Sequence, residues 1–445
     1  MYKKIKKHIS ENLINKPWEP GQWIKYSGPS FSEDEYLAAI ESLLKGWLIF
    51  GEKCGEFQEK FPAYLGKKHG VFVNSGSSAN LLMMLAFVEK YRGSISTWKD
   101  CAQDGGAGYA EVSSVITPVS AFPTTVNPII SCGLEPLFVD VALPSLNLDL
   151  DKVEEILKHN DGVVAIMFAH VLGNPPDMDR LMGLCEEYDV ALLEDCCDAV
   201  GGTYKGRKLG SFGELSTVSF FPAHHITGGE GGLIATDDDF LFKTLASLRS
   251  WGRDCMCDTI SPGDVTGATA CKNRFRDWLG TGTPCDHRYV YKTKGLNLKP
   301  LEIQGAILLE QLKKFPQLEA ARKANHKRLF SIFKPYEEFF HLPVATPNSD
   351  PSWFAFLLTL KEGVPFTRND IVTYLESKKI QTRNYFSGNI LRHPAYKDYS
   401  GQVDNFPVGD YVADHSFFLG VFQGITEPML DYIEEVVREF MERLG

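Results

Sequence analysis

Short apolar runs alternate with amphipathic stretches through the first 240 residues of the chain. Gly70–Asn74, Val112–Thr117, Leu137–Val141, Val163–Ala169, Val190–Glu194, Leu215–Phe220 and Leu233–Thr236 read as strands. Helical periodicity falls between several of them. Ala79–Tyr91 reads as a helix with Leu81, Leu82, Leu85 and Val88 on its buried side, and Met178–Tyr188 as another. Strand–helix alternation of this kind predicts an α/β fold built on a mostly parallel sheet covered on both faces. Ligands of such sheets sit at the carboxyl ends of the strands.

After residue 300 the pattern changes. Leu301–Phe315 and Leu318–Phe330 read as helices, Trp353–Leu360 as a strand and Pro428–Arg443 as a closing helix. The pattern predicts a large α/β domain over residues 1–300 and a smaller α+β domain over residues 301–445. Two segments have no periodicity. Gly93–Ala110 is polar and Gly-rich and reads as an inserted loop. Asp254–Tyr289, rich in Cys, Gly and Asp, reads as a long irregular loop, and structureless loops of that length tend to be functional.

The chain has 445 residues, 44% hydrophobic and 23% charged, which is ordinary globular composition. Its net charge of −11 argues against a nucleic-acid partner, although a local pocket can still hold a phosphorylated small molecule. The most apolar stretch, Val163–Leu172, is too short to span a bilayer, so the expected location is the cytoplasm, with no membrane partner. Ten cysteines in such a chain suggest metal or redox chemistry rather than disulfides. Cys54, Cys101, Cys132 and Cys185 read better as small buried hydrophobes.

Three motifs follow predicted strands. Asn74-Ser75-Gly76-Ser77-Ser78-Ala79-Asn80 opens a helix; its small residues suit close approach of a phosphate to backbone N–H groups, or a plain serine cap. Leu193-Glu194-Asp195-Cys196-Cys197-Asp198-Ala199 places a carboxylate at a strand end, where it can pair with a cationic heterocycle or cap a loop. Ser219-Phe220-Phe221-Pro222-Ala223-His224-His225-Ile226-Thr227-Gly228-Gly229-Glu230-Gly231-Gly232 carries two histidines before a glycine-rich turn. A single histidine there would more often be a hydrogen-bonded core residue.

Taken together, in this order and spacing, the motifs resemble the sugar-aminotransferase family of pyridoxal-phosphate enzymes, fold type I. That family's pattern has a Gly-Ser/Thr phosphate loop, a Pro-rich turn with an aromatic and an Asp after a buried strand. It ends in a Ser-Phe-x-x-x-Lys-x-x-x-x-Gly-Glu-Gly-Gly run. The resemblance extends from about Gly28 through the last helix. It implies that Gly76, Ser77 and Ser219 hold the cofactor phosphate, and that Phe122 of Ala121-Phe122-Pro123-Thr124-Thr125 stacks on the pyridine ring. It further implies that Asp195 pairs with the pyridinium nitrogen. Asn297 of Gly295-Leu296-Asn297-Leu298-Lys299 matches an asparagine that reaches the phosphate of a neighbouring subunit, which implies a homodimer with shared active sites.

The informative departure is His224, which stands where the family has its Schiff-base lysine. Imidazole cannot hold pyridoxal phosphate covalently, but it moves protons near neutral pH. The resemblance therefore narrows to the 3-dehydrases of 3,6-dideoxyhexose biosynthesis, whose motif Phe-Tyr-Pro-Ala-His-His-Ile-Thr is matched by Phe220-Phe221-Pro222-Ala223-His224-His225-Ile226-Thr227. These use pyridoxamine phosphate (PMP). The implied reaction is C3 dehydration of a nucleotide-linked 4-keto-6-deoxyhexose with His224 as catalytic base. His225 reads as a backbone-bonding residue and Glu230 as a brace of the glycine turn.

Cys197, Cys255, Cys257 and Cys271 resemble the 2Fe–2S site of the branch that acts on a CDP-linked sugar, with a longer final spacing. Cys285 is an alternative fourth ligand, and zinc the alternative metal. In an extended chain Cys197 would lie roughly 6–7 Å from Asp195. The resemblance implies a separate NADH-dependent flavin/iron–sulfur reductase as partner. Two other readings are a cluster-free dehydratase of the GDP-sugar type and a non-catalytic metal-binding protein of the same fold.

Overall fold

The computed structural model describes residues 2–11, 17–97, 112–255 and 273–444. Its centre is a seven-stranded sheet. The strands are β1 (His69–Val73), β2 (Ser114–Pro118), β3 (Glu135–Val139), β4 (Val163–Ala169), β5 (Ala191–Asp195), β6 (Leu215–Ser219) and β7 (Gly232–Thr236). They lie in the order β1-β7-β6-β5-β4-β2-β3. The pairs β6/β5, β5/β4, β4/β2 and β2/β3 are parallel, and β7 runs antiparallel to both of its neighbours.

Alternate residues of the strands feed two apolar layers. Phe72, Ile116, Phe168, Leu192, Val218 and Leu233 face one. Val71, Val115, Met167, Leu193, Leu215 and Ile234 face the other. Both faces are therefore dry, as parallel sheets require. Each fully buried side chain of this size contributes about 1.5–3 kcal/mol.

The helices used below are α1 (Glu33–Leu44), α2 (Glu52–Leu65), α3 (Gly76–Lys90), α4 (Pro123–Ser131), α5 (Leu150–His159), α6 (Met178–Glu187), α7 (Asp239–Arg249), α8 (Glu302–Phe333), α9 (Arg368–Ser377) and α10 (Glu427–Glu442). A second, antiparallel sheet has the order β8 (Phe340–His341), β9 (Ala355–Leu360), β11 (Ser416–Gly420), β10 (Thr382–Asn384). Its core takes in Phe356, Phe417, Leu419 and, from α10, Val436 and Val437.

The seven strands of the large sheet form where the hydrophobic pattern places them, within about two residues. Three expectations are corrected. Leu301–Phe315 and Leu318–Phe330 are one helix, α8, which carries Pro316 in its interior. Its first half packs on α1 and α2, its side chains Leu308 and Phe315 belong to the large core, and Leu329 and Phe333 belong to the small one. Packing at both ends offsets the helix-breaking cost of an internal proline.

The buried side of α3 is also broader than expected. Leu82, Met83, Met84, Ala86 and Phe87 are buried, whereas Leu81, Leu85 and Val88 are only half-buried. The helix meets both α4 and α7 as well as the sheet, so apolar contact runs round most of it. Finally, the described end of the cysteine-rich segment is not irregular. Phe275–Arg276 and Cys285–Asp286 form a small hairpin, with Arg274 donating two hydrogen bonds to Asp286 Oδ2 at 2.7 and 2.9 Å. The Gly93–Ala110 loop lies mostly outside the described residues.

Candidate active site

Strands β1, β5 and β6 end at one side of the large sheet, and the loops that follow them converge on a cleft of about 1410 Å³. The second sheet forms its far wall through Thr382, Arg383, Asn384 and Phe418.

Gly76 opens α3 just after β1. Ser75 caps the helix, its Oγ accepting from the Ser78 N–H at 3.1 Å. A side chain at Gly76 would meet Ser219 Cβ at 2.4 Å and Oγ at 2.7 Å, so only glycine lets the helix start sit against β6. The result is a helix N-terminus flanked by serine hydroxyls and open to the cleft, suited to a phosphate. Ser77 and Ser219 both line it.

Asp195, at the end of β5, is buried and lies on the cleft floor. Three donors fix its carboxylate. Asn80 Nδ2 (2.7 Å) and Thr125 Oγ1 (2.9 Å) donate to Oδ2, and the Cys197 N–H (3.1 Å) donates to Oδ1. Asn80 in turn accepts from Thr217 Oγ1 at 2.5 Å. This arrangement holds the carboxylate in one orientation. Phe122, just before α4, is 50% exposed and lines the same cleft, with its ring 5.8 Å from that of Phe386.

The two histidines diverge. His224 lines the cleft, its side chain 15% exposed, and its Nδ1 lies 3.3 Å from Asp198 Oδ1. That distance is ion-pair range without hydrogen-bond alignment. Arg322, wholly buried, donates to the His224 carbonyl at 2.9 Å and locks the loop from below. Burial lowers the Arg322 guanidinium to about 9, against the pull of Asp198. Burial also raises the Asp198 carboxyl above its ordinary range, with His224 opposing.

His225 points the other way. It is fully buried, and its Nε2 bonds the Ser352 carbonyl at 2.8 Å. Burial and the nearby Arg322 charge push its imidazole well below the usual histidine range, so the ring is neutral. Thr227, not Glu230, braces the glycine turn: its Oγ1 donates to the Phe220 carbonyl at 2.8 Å and accepts from the Gly229 N–H at 3.0 Å. Glu230 is exposed at the cleft edge.

Cys197 also lines the cleft. The chain turns after β5 instead of staying extended, because the Asp195 carboxylate captures the Cys197 N–H. Burial, followed by the Asp195 charge, raises the thiol well above its ordinary range. Cys255 and Cys285 are half-buried, and Cys257 and Cys271 lie outside the described residues. Asn297 is exposed and is not among the cleft-lining residues of its own chain; its Oδ1 accepts from Lys299 Nζ at 2.8 Å.

Asn80, Thr125, Asp198, Arg322 and Arg383 carry no expectation from the sequence. Asn80, Thr125 and Asp198 stand inside the motifs quoted above, so proximity to Gly76, Phe122 and Asp195 was the available signal. Arg322 and Arg383 had none.

The sheet order, the glycine cradle and the strand-end carboxylate define a pyridoxal-phosphate-dependent aminotransferase fold. Residues 29–438 match the model of the DegT/DnrJ/EryC1/StrS aminotransferase family, and the chain belongs to that family. It is 41% identical over 423 residues to the dTDP-4-dehydro-2,6-dideoxy-D-glucose 3-dehydratase of Saccharopolyspora spinosa, covering 94% of this chain and 87% of that one. It is 38% identical over 443 residues to the lipopolysaccharide biosynthesis protein RfbH of Salmonella typhimurium, covering 98% and 96%. Among solved structures it resembles the E. coli GDP-4-keto-6-deoxy-D-mannose-3-dehydratase with bound hydrated PLP, at 28% identity and a TM-score of 0.78, covering 93% and 100%. Among the described residues no helix is long and apolar enough to cross a membrane.

Proposed function

We propose that this chain removes the C3 hydroxyl of a nucleotide-linked 4-keto-6-deoxyhexose, using pyridoxamine phosphate and His224. The observation that carries the reading is an imidazole on the cleft wall, at the position where the family's aminotransferases carry lysine, with a fixed carboxylate on the cleft floor. The names of the relatives, 3-dehydratases of dTDP- and GDP-linked sugars, support the reaction class.

The residues fit the cofactor. Gly76, Ser77 and Ser219 would take its phosphate, Phe122 would cover its ring and Asp195 would meet its ring nitrogen. When bound, the cofactor would supply an amine for the C4 ketone and a protonated ring that stabilises the charge left by removal of a proton beside that amine, the freed electron pair then leaving with the C3 hydroxyl. His224 works through Nε2, because Nδ1 faces Asp198. It would accept a proton from the carbon beside the cofactor amine and return it to the departing hydroxyl, so that water leaves. Asp195 would keep the ring nitrogen protonated through a carboxylate that three donors hold in place.

We extend the reading to a 2Fe–2S cluster on Cys197, Cys255, Cys257 and Cys271, served by an NADH-dependent flavin/iron–sulfur reductase. The support is the cysteine spacing and the place of Cys197 on the cleft wall. We also read the enzyme as a homodimer, supported by Asn297, which stands exposed outside its own cleft.

The test is anaerobic incubation with PMP, a reductase and CDP-, dTDP- and GDP-linked 4-keto-6-deoxyhexoses, followed by mass spectrometry. Loss of the C3 oxygen from one of them supports the reading, and turnover of none refutes it. An iron and acid-labile sulfide assay on anaerobically purified protein decides the cluster. Absence of both leaves the cluster-free dehydratase.

A further inference from the structure

The far wall of the cleft carries one feature that the dehydration chemistry does not use. Arg383 lies on β10, and among the described lining residues it is the only lysine or arginine, in a chain of net charge −11. It forms no ion pair with a carboxylate of the described residues. Its guanidinium carbon lies over the Tyr26 ring, 4.4 Å from the centroid, and one nitrogen donates to the neighbouring Thr382 carbonyl at 2.7 Å. A guanidinium carries five N–H donors in a rigid fork, so several remain for a ligand.

The platform is fixed. Ile24 bridges Ile380, and the Tyr26 N–H donates to Gln381 Oε1 at 3.1 Å, which ties the Tyr26 segment to the approach to β10. A row of rings runs from His224 to this point. His224 meets Phe354 at 5.5 Å, Phe354 meets Phe418 at 6.2 Å and Phe418 meets Tyr26 at 6.0 Å. In a pyranose, C4 and the anomeric C1 lie on opposite sides of the ring. A sugar whose C4 is beside His224 thus projects its C1 substituent away from the reacting centre and along the cleft.

We propose that Arg383 binds the diphosphate of the sugar nucleotide and sets the enzyme's requirement for a nucleoside-diphosphate leaving arm. The proposal rests on the proposed function for the sugar's orientation. The Arg–diphosphate contact is bidentate and charge-assisted, and the aromatic row beneath it packs against the hexose. The phosphate of the cofactor would be held by the start of α3, on a different element from Arg383.

The test uses PMP-loaded protein and isothermal titration with dTDP, CDP, GDP, the matching monophosphates and inorganic pyrophosphate. The unsubstituted protein binds diphosphates more tightly than monophosphates, and the difference shrinks as salt is raised. Arg383→Gln weakens diphosphate binding by about tenfold or more and abolishes the preference over monophosphates, while Arg383→Lys recovers part of it. Arg383 is exposed, so both variants retain the fold, checked by thermal melting. Diphosphate binding unchanged in Arg383→Gln, or no diphosphate binding by the unsubstituted protein, overturns the proposal. If diphosphates bind through Arg383 but no 4-keto sugar nucleotide is dehydrated, the proposed reaction fails and the diphosphate site stands.

Discussion

The large sheet brings Asp195 and Ser219 to the cleft as buried strand ends, each in contact with a neighbouring strand or helix start. The small sheet brings Arg383 and Asn384, exposed, and Phe418, whose ring faces others. The first set is over-determined: three donors on one carboxylate, and a glycine with no room for a methyl. The second set is a row of largely buried rings ending in an exposed cation. Rigid strand termini suit chemistry that needs fixed proton and charge positions, whereas a rim of rings and one guanidinium suits recognition of a long, partly apolar substrate. The comparison predicts that changes on the large-sheet side strike turnover and changes on the small-sheet side strike binding.

The largest effect tests the first half. His224→Asn should lower dehydration by about 10²–10⁴-fold with diphosphate binding intact, measured by mass spectrometry of product and by titration. Unchanged turnover would remove His224 from the mechanism. His224→Lys should in addition give a visible absorbance band from covalently held pyridoxal phosphate. Asp195→Asn comes next, with a loss of about 10²-fold or more in kcat, because the substituted amide cannot hold a ring proton by charge. A loss confined to KM would place Asp195 among the binding residues.

Arg383→Gln tests the second half. KM for the sugar nucleotide should rise about tenfold with kcat nearly constant. A fall in kcat alone would erase the distinction between the two walls.

The smallest effect separates the adjacent histidines. His225 is neutral in the fold, and burial lowers His326 to about 3. Unfolding lets both bind protons that the folded state refuses, so stability is complete above about 6.5 and falls as the pH drops below it. The slope is at most about 1.4 kcal/mol per pH unit for each ring. Urea unfolding at pH 7 and pH 5 should show this loss. His225→Gln should flatten it and should cost about 1 kcal/mol at pH 7, through the weakened bond to the Ser352 carbonyl. An unchanged pH slope in that variant would show that His225 is not the titrating group.

Legibility in the sequence followed the range of the interactions. The strands of the large sheet were legible because each is a short apolar run bounded by turn residues, and their parallel order follows from the helices between them. The motifs that hold Gly76, Asp195 and His224 are legible through their joint order and spacing, which resemble the family's pattern; a place near a strand end leaves other roles open for each. Helix α8 reads as two in the sequence because Pro316 interrupts it; packing on two cores at once keeps it continuous. Glu230 reads as the brace of the glycine turn, but Thr227 takes that place by reaching the Phe220 carbonyl through a fold of the turn that spacing does not reveal.

By itself the sequence determined the strands of the sheet and the positions of the motifs, because local periodicity and continuous runs encode them; the resemblance to the family adds that His224 stands in the place of a lysine. Only the tertiary structure shows what holds the His224 loop, since Asp198 and Arg322 come from different elements to meet it. It also decided that Asn80 and Thr125, 115 and 70 positions from Asp195, fix its carboxylate. And it alone brought Arg383 from a second sheet into the same cleft as Gly76. Contacts between residues far apart in the chain depend on packing, which no local pattern records.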